Sequence, residues 1–227
     1  MLRLDKILNE SRSFIDRQRA RLVSRRDLFT NFYRDNLWKD PESRSGVGSR
    51  LEETRNVRAA LPRILAELKV KTFLDAPCGD LNWMKHVELG PIDYIGADIV
   101  ADLVADNERR FSSAPGPSGT RYRFQLLDLV TDPVPRADLV LCRDCLVHIS
   151  HKNVNKALRN IVAGGSHYLL TTTFVDRTEN ADIIIGWHPI NLQQPPFSWP
   201  APLELIDEGS SEQGDKRLGL WDLRTLR

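Results

Sequence analysis

The sequence predicts an α/β fold on a mostly parallel, doubly wound sheet, and three observations carry that prediction. From Lys71 onward, short apolar runs alternate with segments of helical period, the pattern of a sheet covered by helices on both faces. The first run, residues 72–75, leads into a tight turn, Ala76-Pro77-Cys78-Gly79, after which helical sequence resumes. A second run, Tyr94-Ile95-Gly96-Ala97-Asp98, ends in a carboxylate. It lies about 20 residues beyond the turn, where doubly wound proteins hold a ribose.

Composition narrows the class. A chain of 227 residues suffices for one α/β domain with an accessory element. With 41% hydrophobic and 28% charged residues it fits an ordinary globular protein. A net charge of +1 gives no global field for nucleic acid or an anionic membrane, so neither is expected as a partner. No apolar run reaches the ~18–20 residues of a membrane span, and the N-terminus lacks the apolar core of a secretory signal. Three cysteines, an odd number, argue for a reducing cytoplasm over a disulfide framework.

Residues 1–40 form a separate block, an amphipathic helical extension. Leu4, Ile7, Leu8, Phe14, Ile15, Leu22, Leu28, Phe29 and Phe32 recur at roughly helical spacing, with arginines such as Arg12, Arg17, Arg21 and Arg25 between them. The apolar stripe would pack on the core or on a second copy of the chain, giving a homodimer. The arginines could instead face an acidic partner. Asp5, Glu10, Asp16 and Asp27 argue against a mitochondrial presequence.

Residues 41–227 form the main domain. The loop Gly46-Val47-Gly48-Ser49 is no dinucleotide fingerprint, because no strand precedes it and a third glycine is missing. Ser49 and Glu52 can make a capping box for the helical pattern at 51–68, and, without excluding that, the loop can be a flap with backbone donors for a ligand carboxylate. Pro62 should kink or restart that helix. Further strands are expected at about 93–98, 122–127, 138–142 and 168–174, with helices at about 101–111 and 152–162. Residues 176–202 carry five prolines with Trp187, Phe197 and Trp199, an irregular connection of the kind that is usually functional. Two closing strands, about 203–208 and 217–223, are close enough to form an antiparallel hairpin.

The turn selects among nucleotide ligands. A pyrophosphate site uses three glycines; this turn has one, with a proline and the flanking acids Asp75 and Asp80. Such acids repel phosphate and suit a ligand bearing an ammonium and a sulfonium. With this turn, Asp98 and the closing hairpin, residues 50–227 resemble the class I S-adenosylmethionine-dependent methyltransferases. Those have a Rossmann-like, seven-stranded sheet. The chain is also similar to bacterial methyltransferases that share its Ser45-Gly46-Val47-Gly48-Ser49 loop, its Asp75–Asp80 turn and its Cys142-Arg143-Asp144-Cys145-Leu146-Val147-His148 segment; that group is loosely connected with glycan modification.

The resemblance implies S-adenosyl-L-methionine as cofactor and assigns roles. Asp75 would face the ammonium, Pro77 and Cys78 would shape the turn, and Gly79 would leave room for the methionine part. Asp98 would take the ribose hydroxyls and Ile99 would pack on adenine. Asp128 would accept the adenine amino proton while Leu129 donates its backbone N–H. Arg143 would bind the cofactor carboxylate or pair with a neighbouring acid.

The acceptor side is expected at the end of the fourth strand, beside the switch point of the sheet. Cys142 and Cys145 allow a redox pair, or with Cys78 and His148 a Cys₃His zinc site. The commoner role of such cysteines is as small buried residues, and no metal is expected. His148 and Asp144 are the candidate proton acceptors for a hydroxyl nucleophile. Trp83, at the start of the helix expected after the first turn, and Phe174, Trp187 and Asn191 are the candidate acceptor walls, aromatic faces with polar donors that suit a sugar. The expected function is therefore methyl transfer (EC 2.1.1) to a small molecule, preferably a sugar or glycan hydroxyl. The alternative is a catalytically inactive cofactor-binding subunit that scaffolds or activates a partner.

Overall fold

A computed structural model describes residues 24–116, 118–183, 186–209 and 214–226. Most of the basic, amphipathic stripe of the N-terminal block, and the tip of the closing hairpin, lie outside those residues. Seven strands form one sheet in the order β3-β2-β1-β4-β5-β7-β6. They are β1 (Thr72–Asp75), β2 (Asp93–Asp98), β3 (Arg121–Leu126), β4 (Leu139–Cys142), β5 (Tyr168–Phe174), β6 (Glu204–Asp207) and β7 (Lys216–Asp222). β1 to β5 run parallel, and β7 enters antiparallel between β5 and β6. The helices are α1 (Arg25–Arg34), α2 (Arg55–Glu67), α3 (Ala101–Phe111) and α4 (His151–Ala163).

Alternation along the strands builds two core layers. Leu74, Ile95, Val140 and Leu169 point to the face covered by Val154, Leu158 and Ile161 of α4. Their neighbours Phe73, Tyr94, Leu139 and Leu141 point to the face covered by Val57, Leu61 and Ile64 of α2. Each such side chain contributes about 1.5–3 kcal/mol on burial. With both faces covered, central strands read as unbroken apolar runs; β4 is buried at all four positions. Gly96 of β2 is required by packing, because a Cβ there would meet the Phe124 ring.

Four local expectations are corrected. After the first turn no α-helix forms; Leu81 takes a left-handed backbone (φ 55°), and only a 3₁₀ turn, Met84–His86, follows before Gly90 and Pro91. Trp83 therefore precedes a 3₁₀ turn and does not start a helix. α2 begins at Arg55 after Thr54, so Ser49 does not cap it. Finally, α2 runs through Pro62 as one helix, anchored on either side by buried Val57, Leu61, Ile64 and Leu65, whose burial outweighs the lost hydrogen bond.

Candidate active site

The strand order reverses between β1 and β4, and the carboxyl ends of the strands there open into a crevice. Two adjoining cavities, about 160 Å³ and about 50 Å³, occupy it. They share Pro77, Asp98, Ile99 and Cys145 along the sheet side, and Phe29 of α1.

Two carboxylates form the floor of the larger cavity. Asp75 ends β1, fully buried, and accepts a 2.6 Å hydrogen bond from the Tyr94 hydroxyl. Burial pushes its pKa up to about 7, partly offset by that hydrogen bond. Asp98 ends β2 and accepts from the backbone N–H groups of Gly79 (3.2 Å) and Val100 (3.0 Å). Burial again dominates and lifts it to about 6. Among the described residues neither makes an ion pair.

The first turn is built for close approach. Gly79 has φ 56°, and a Cβ there would collide with the Ser45 hydroxyl. Asn107 of α3 holds the turn through the Gly79 carbonyl (2.8 Å). Asp80 points away from the floor. It accepts from the Ser43 hydroxyl (3.0 Å) and the Arg44 N–H (2.9 Å), fastening residues 43–45 over the turn. Ser45 and Ser49 thus line the larger cavity, the placement expected of a flap.

The smaller cavity is a mostly apolar slot with Leu127, Leu129 and Ile149 on its walls. Asp128 accepts from the Val130 N–H (2.9 Å) and from Arg25 Nη2 (2.7 Å). The Leu129 N–H has no partner among the described residues.

The end of β4, where the acceptor side was expected, holds a buried ionic cluster. Arg143 donates to Glu208 through Nε (2.8 Å), pairs with it through Nη2 (2.6 Å), and donates to the Gly48 carbonyl through Nη1 (2.7 Å). Of the two roles expected for Arg143, pairing with a neighbouring acid is the one its contacts fill. Its guanidinium also lies 5.7 Å from the Trp83 ring centroid. Asp144 binds Lys216 Nζ at 2.7 Å and sits 3.3 Å from Arg143. Burial raises its pKa, but the Lys216 and Arg143 charges overcome that and hold it near 2.

His148 lies against Trp38, ring centroids 5.0 Å apart, and contacts the Gly186 carbonyl through Nδ1 at 2.9 Å. A carbonyl only accepts, so Nδ1 carries the proton and Nε2 of the neutral ring carries the lone pair. Burial lowers the His148 pKa, so the ring is neutral at pH 7. The cysteines are free, and no group of three or more His, Cys, Asp or Glu able to hold a metal occurs among the described residues.

Most expected site residues converge. Asp75, Pro77, Cys78, Gly79, Asp98 and Ile99 line the larger cavity, as do Trp83, Arg143, Asp144 and His148; Asp128 and Leu129 line the smaller. Phe174, Trp187 and Asn191 do not. Phe174 is fully buried in the core, Trp187 stacks edge-on against it, and Asn191 spends its amide on the Val175 and Arg177 carbonyls. Residues not anticipated as lining are Phe29, Phe32 and Tyr33 of α1 and Trp38, together with Glu208 and Lys216 behind Asp144. Only the amphipathic spacing of α1 hinted at an apolar face there.

No protein-family model matches the chain, and no curated protein does. Solved structures are similar to it in fold. Human N-acetylserotonin methyltransferase, in complex with SAM, aligns over 88% of this chain and 60% of its own, at 18% identity and TM-score 0.59. The N-methyltransferase NodS from Bradyrhizobium japonicum, in complex with S-adenosylhomocysteine, aligns over 85% of this chain and 98% of its own, at 14% identity and TM-score 0.58. The chain spans 56–66% of the length of several matched proteins. These likenesses show the fold: a Rossmann-like, seven-stranded sheet of the class I methyltransferase type. No helix among the described residues is long and apolar enough to cross a membrane.

Proposed function

We propose that the chain is an S-adenosylmethionine-dependent methyltransferase acting on a small molecule, with the hydroxyl of a sugar-like ring as the preferred target. One observation carries this reading. Two buried carboxylates without a cationic partner among the described residues, Asp75 and Asp98, face the same cleft as His148, whose Nε2 has no hydrogen-bond partner among those residues.

The chain's residues fit the cofactor. Asp75 offers a carboxylate to an ammonium, and Asp98 has lone pairs left for hydroxyl donors. The Gly79 turn, kept free of a side chain by its close contact with Ser45, lines the cavity beside Asp98, and the Leu129 N–H, without a partner among the described residues, suits a purine edge beside Asp128. Bound there, S-adenosylmethionine supplies a methyl group on an electrophilic sulfonium.

The remaining residues handle the acceptor. His148 takes the acceptor proton on Nε2. Asp144, held ionised, accepts a hydrogen bond from a neighbouring hydroxyl and so orients the nucleophile. The aromatic walls that support a ring-shaped acceptor are Trp38 and Trp83, in place of Trp187 and Asn191.

Calorimetry with S-adenosylhomocysteine tests the cofactor, and transfer of labelled methyl to sugar-bearing small molecules tests the reaction. His148→Gln is expected to lower transfer about a hundredfold or more while leaving cofactor affinity unchanged. Absence of binding at millimolar ligand would remove the cofactor assignment. Binding without transfer to any acceptor would leave an inactive cofactor-binding subunit.

A further inference from the structure

We propose that Arg25 and Phe29, from the helix that precedes the α/β core, complete the purine end of the cleft, with Arg25 reading ring nitrogen N7. The proposal rests on the cofactor reading above and adds two residues outside the stretch that resembles the methyltransferases.

α1 lies across the crevice and is held there by contacts remote from the slot. Arg34 pairs with Asp102 at 3.1 Å, and Arg44 Nη1 donates to the Tyr33 and Arg34 carbonyls at 3.2 Å each. Phe29 lines both cavities together with the sheet-side residues Pro77 and Ile99. A flat ring in the slot would therefore lie against Ile99 and the Phe29 side chain.

Arg25 supplies the polar part. Its Nη2 holds Asp128 at 2.7 Å, and the side chain lines the slot with 27% exposure. Its Nε is buried and finds no acceptor among the described residues. A guanidinium carries five N–H donors, and a buried donor left unpaired is costly until some group supplies an acceptor.

The order of groups matches one base. The adenine amino group, a donor, is flanked by the ring acceptors N1 and N7. On the protein, the Asp128 carboxylate is flanked by the Leu129 N–H, its chain neighbour, and by the Arg25 guanidinium, its ion-pair partner. That is donor, acceptor, donor against acceptor, donor, acceptor. Asp128 and Leu129 alone would read only the amino group and N1; Arg25 extends the reading to N7.

Calorimetry on the full chain tests this with two probes: S-adenosylhomocysteine and its 7-deaza analogue, in which a C–H replaces N7. The wild-type chain is expected to bind the first about tenfold more tightly, as for one hydrogen bond to a charged donor. Arg25→Met should weaken S-adenosylhomocysteine about tenfold and leave the analogue unchanged, erasing the preference. If Arg25→Met does not fold, Arg25→Lys carries the same comparison, because one ammonium nitrogen kept on Asp128 is not expected to serve N7 as well. Equal binding of both probes by the wild type, or a preference that survives in the variants, overturns the proposal while the cofactor reading stands. Tighter S-adenosylhomocysteine binding by Arg25→Met also overturns it and makes the Arg25–Asp128 pair a latch against the ligand. Failure of the wild type to bind S-adenosylhomocysteine removes the cofactor reading and this proposal together.

Discussion

The two halves of the crevice treat the same functional group in opposite ways. On the floor, Asp75 and Asp98 are buried without a cation and have their pKa values raised to about 7 and about 6. Beside them, Asp144 is held near 2 by Lys216 and Arg143. Burial alone penalises a carboxylate; burial with a paired cation fixes its charge. The floor thus keeps its affinity for a positive ligand that the protein does not itself supply. At the end of β4 the acid stays ionised, its charge already balanced by Lys216 and Arg143.

That contrast breaks first at the cluster. Glu208→Gln leaves Asp144 alone to balance both buried Arg143 and Lys216, and about 3–5 kcal/mol of stability should go. Calorimetric melting would register this as a Tm lower by roughly 10 °C; an unchanged Tm would mean that the Arg143 charge is solvated in solution. On the floor the loss should appear in binding instead. Asp98→Asn removes an acceptor for ligand hydroxyls, and S-adenosylhomocysteine affinity should fall on the order of a hundredfold, with a much smaller change in Tm.

The smallest effect is the pH response, and its sign separates the halves. Folded Asp75 and Asp98 keep protons that the unfolded chain loses near the ordinary carboxylate value of 3.8. Their contribution to stability is therefore full below that value and is lost as pH rises through about 6 and about 7. A cationic ligand needs the deprotonated floor, so S-adenosylmethionine affinity should rise about tenfold from roughly pH 5.5 to 8 and then level off. Asp144 runs the other way. Its contribution is full above 3.8 and lost as pH falls through about 2, so it stays constant across that window. A flat titration of affinity would mean that neither floor acid meets a positive charge.

Much of the floor was legible in the sequence, because each of its acids ends a strand. Thr72–Asp75 and Asp93–Asp98 occur where apolar alternation and the Gly turn place them. The acceptor wall was not legible. The aromatic loop after β5 suggested a lid, but His188, Ile190 and Leu192 are buried and draw the loop into the core. Asn191 is then consumed stitching the loop to residues 175 and 177. Conversely, amphipathic spacing in α1 announces an apolar face without saying which surface it covers. Lys216 and Glu208 read as ordinary hairpin charges, because nothing local reveals that β7 inserts beside β5. Long-range pairing is what brings them to Asp144.

That insertion also has a consequence in time. Asp75, Asp98 and Asp128 are all synthesised before residue 130, whereas Glu208 and Lys216, which pair with Arg143 and Asp144, arrive much later. A chain emerging from the ribosome therefore carries all three of these carboxylates while Arg143 still has Asp144 beside it in place of Glu208. Nascent chains arrested with residue 200 exposed should be open to protease around residues 143–148, and those released past residue 222 should be resistant.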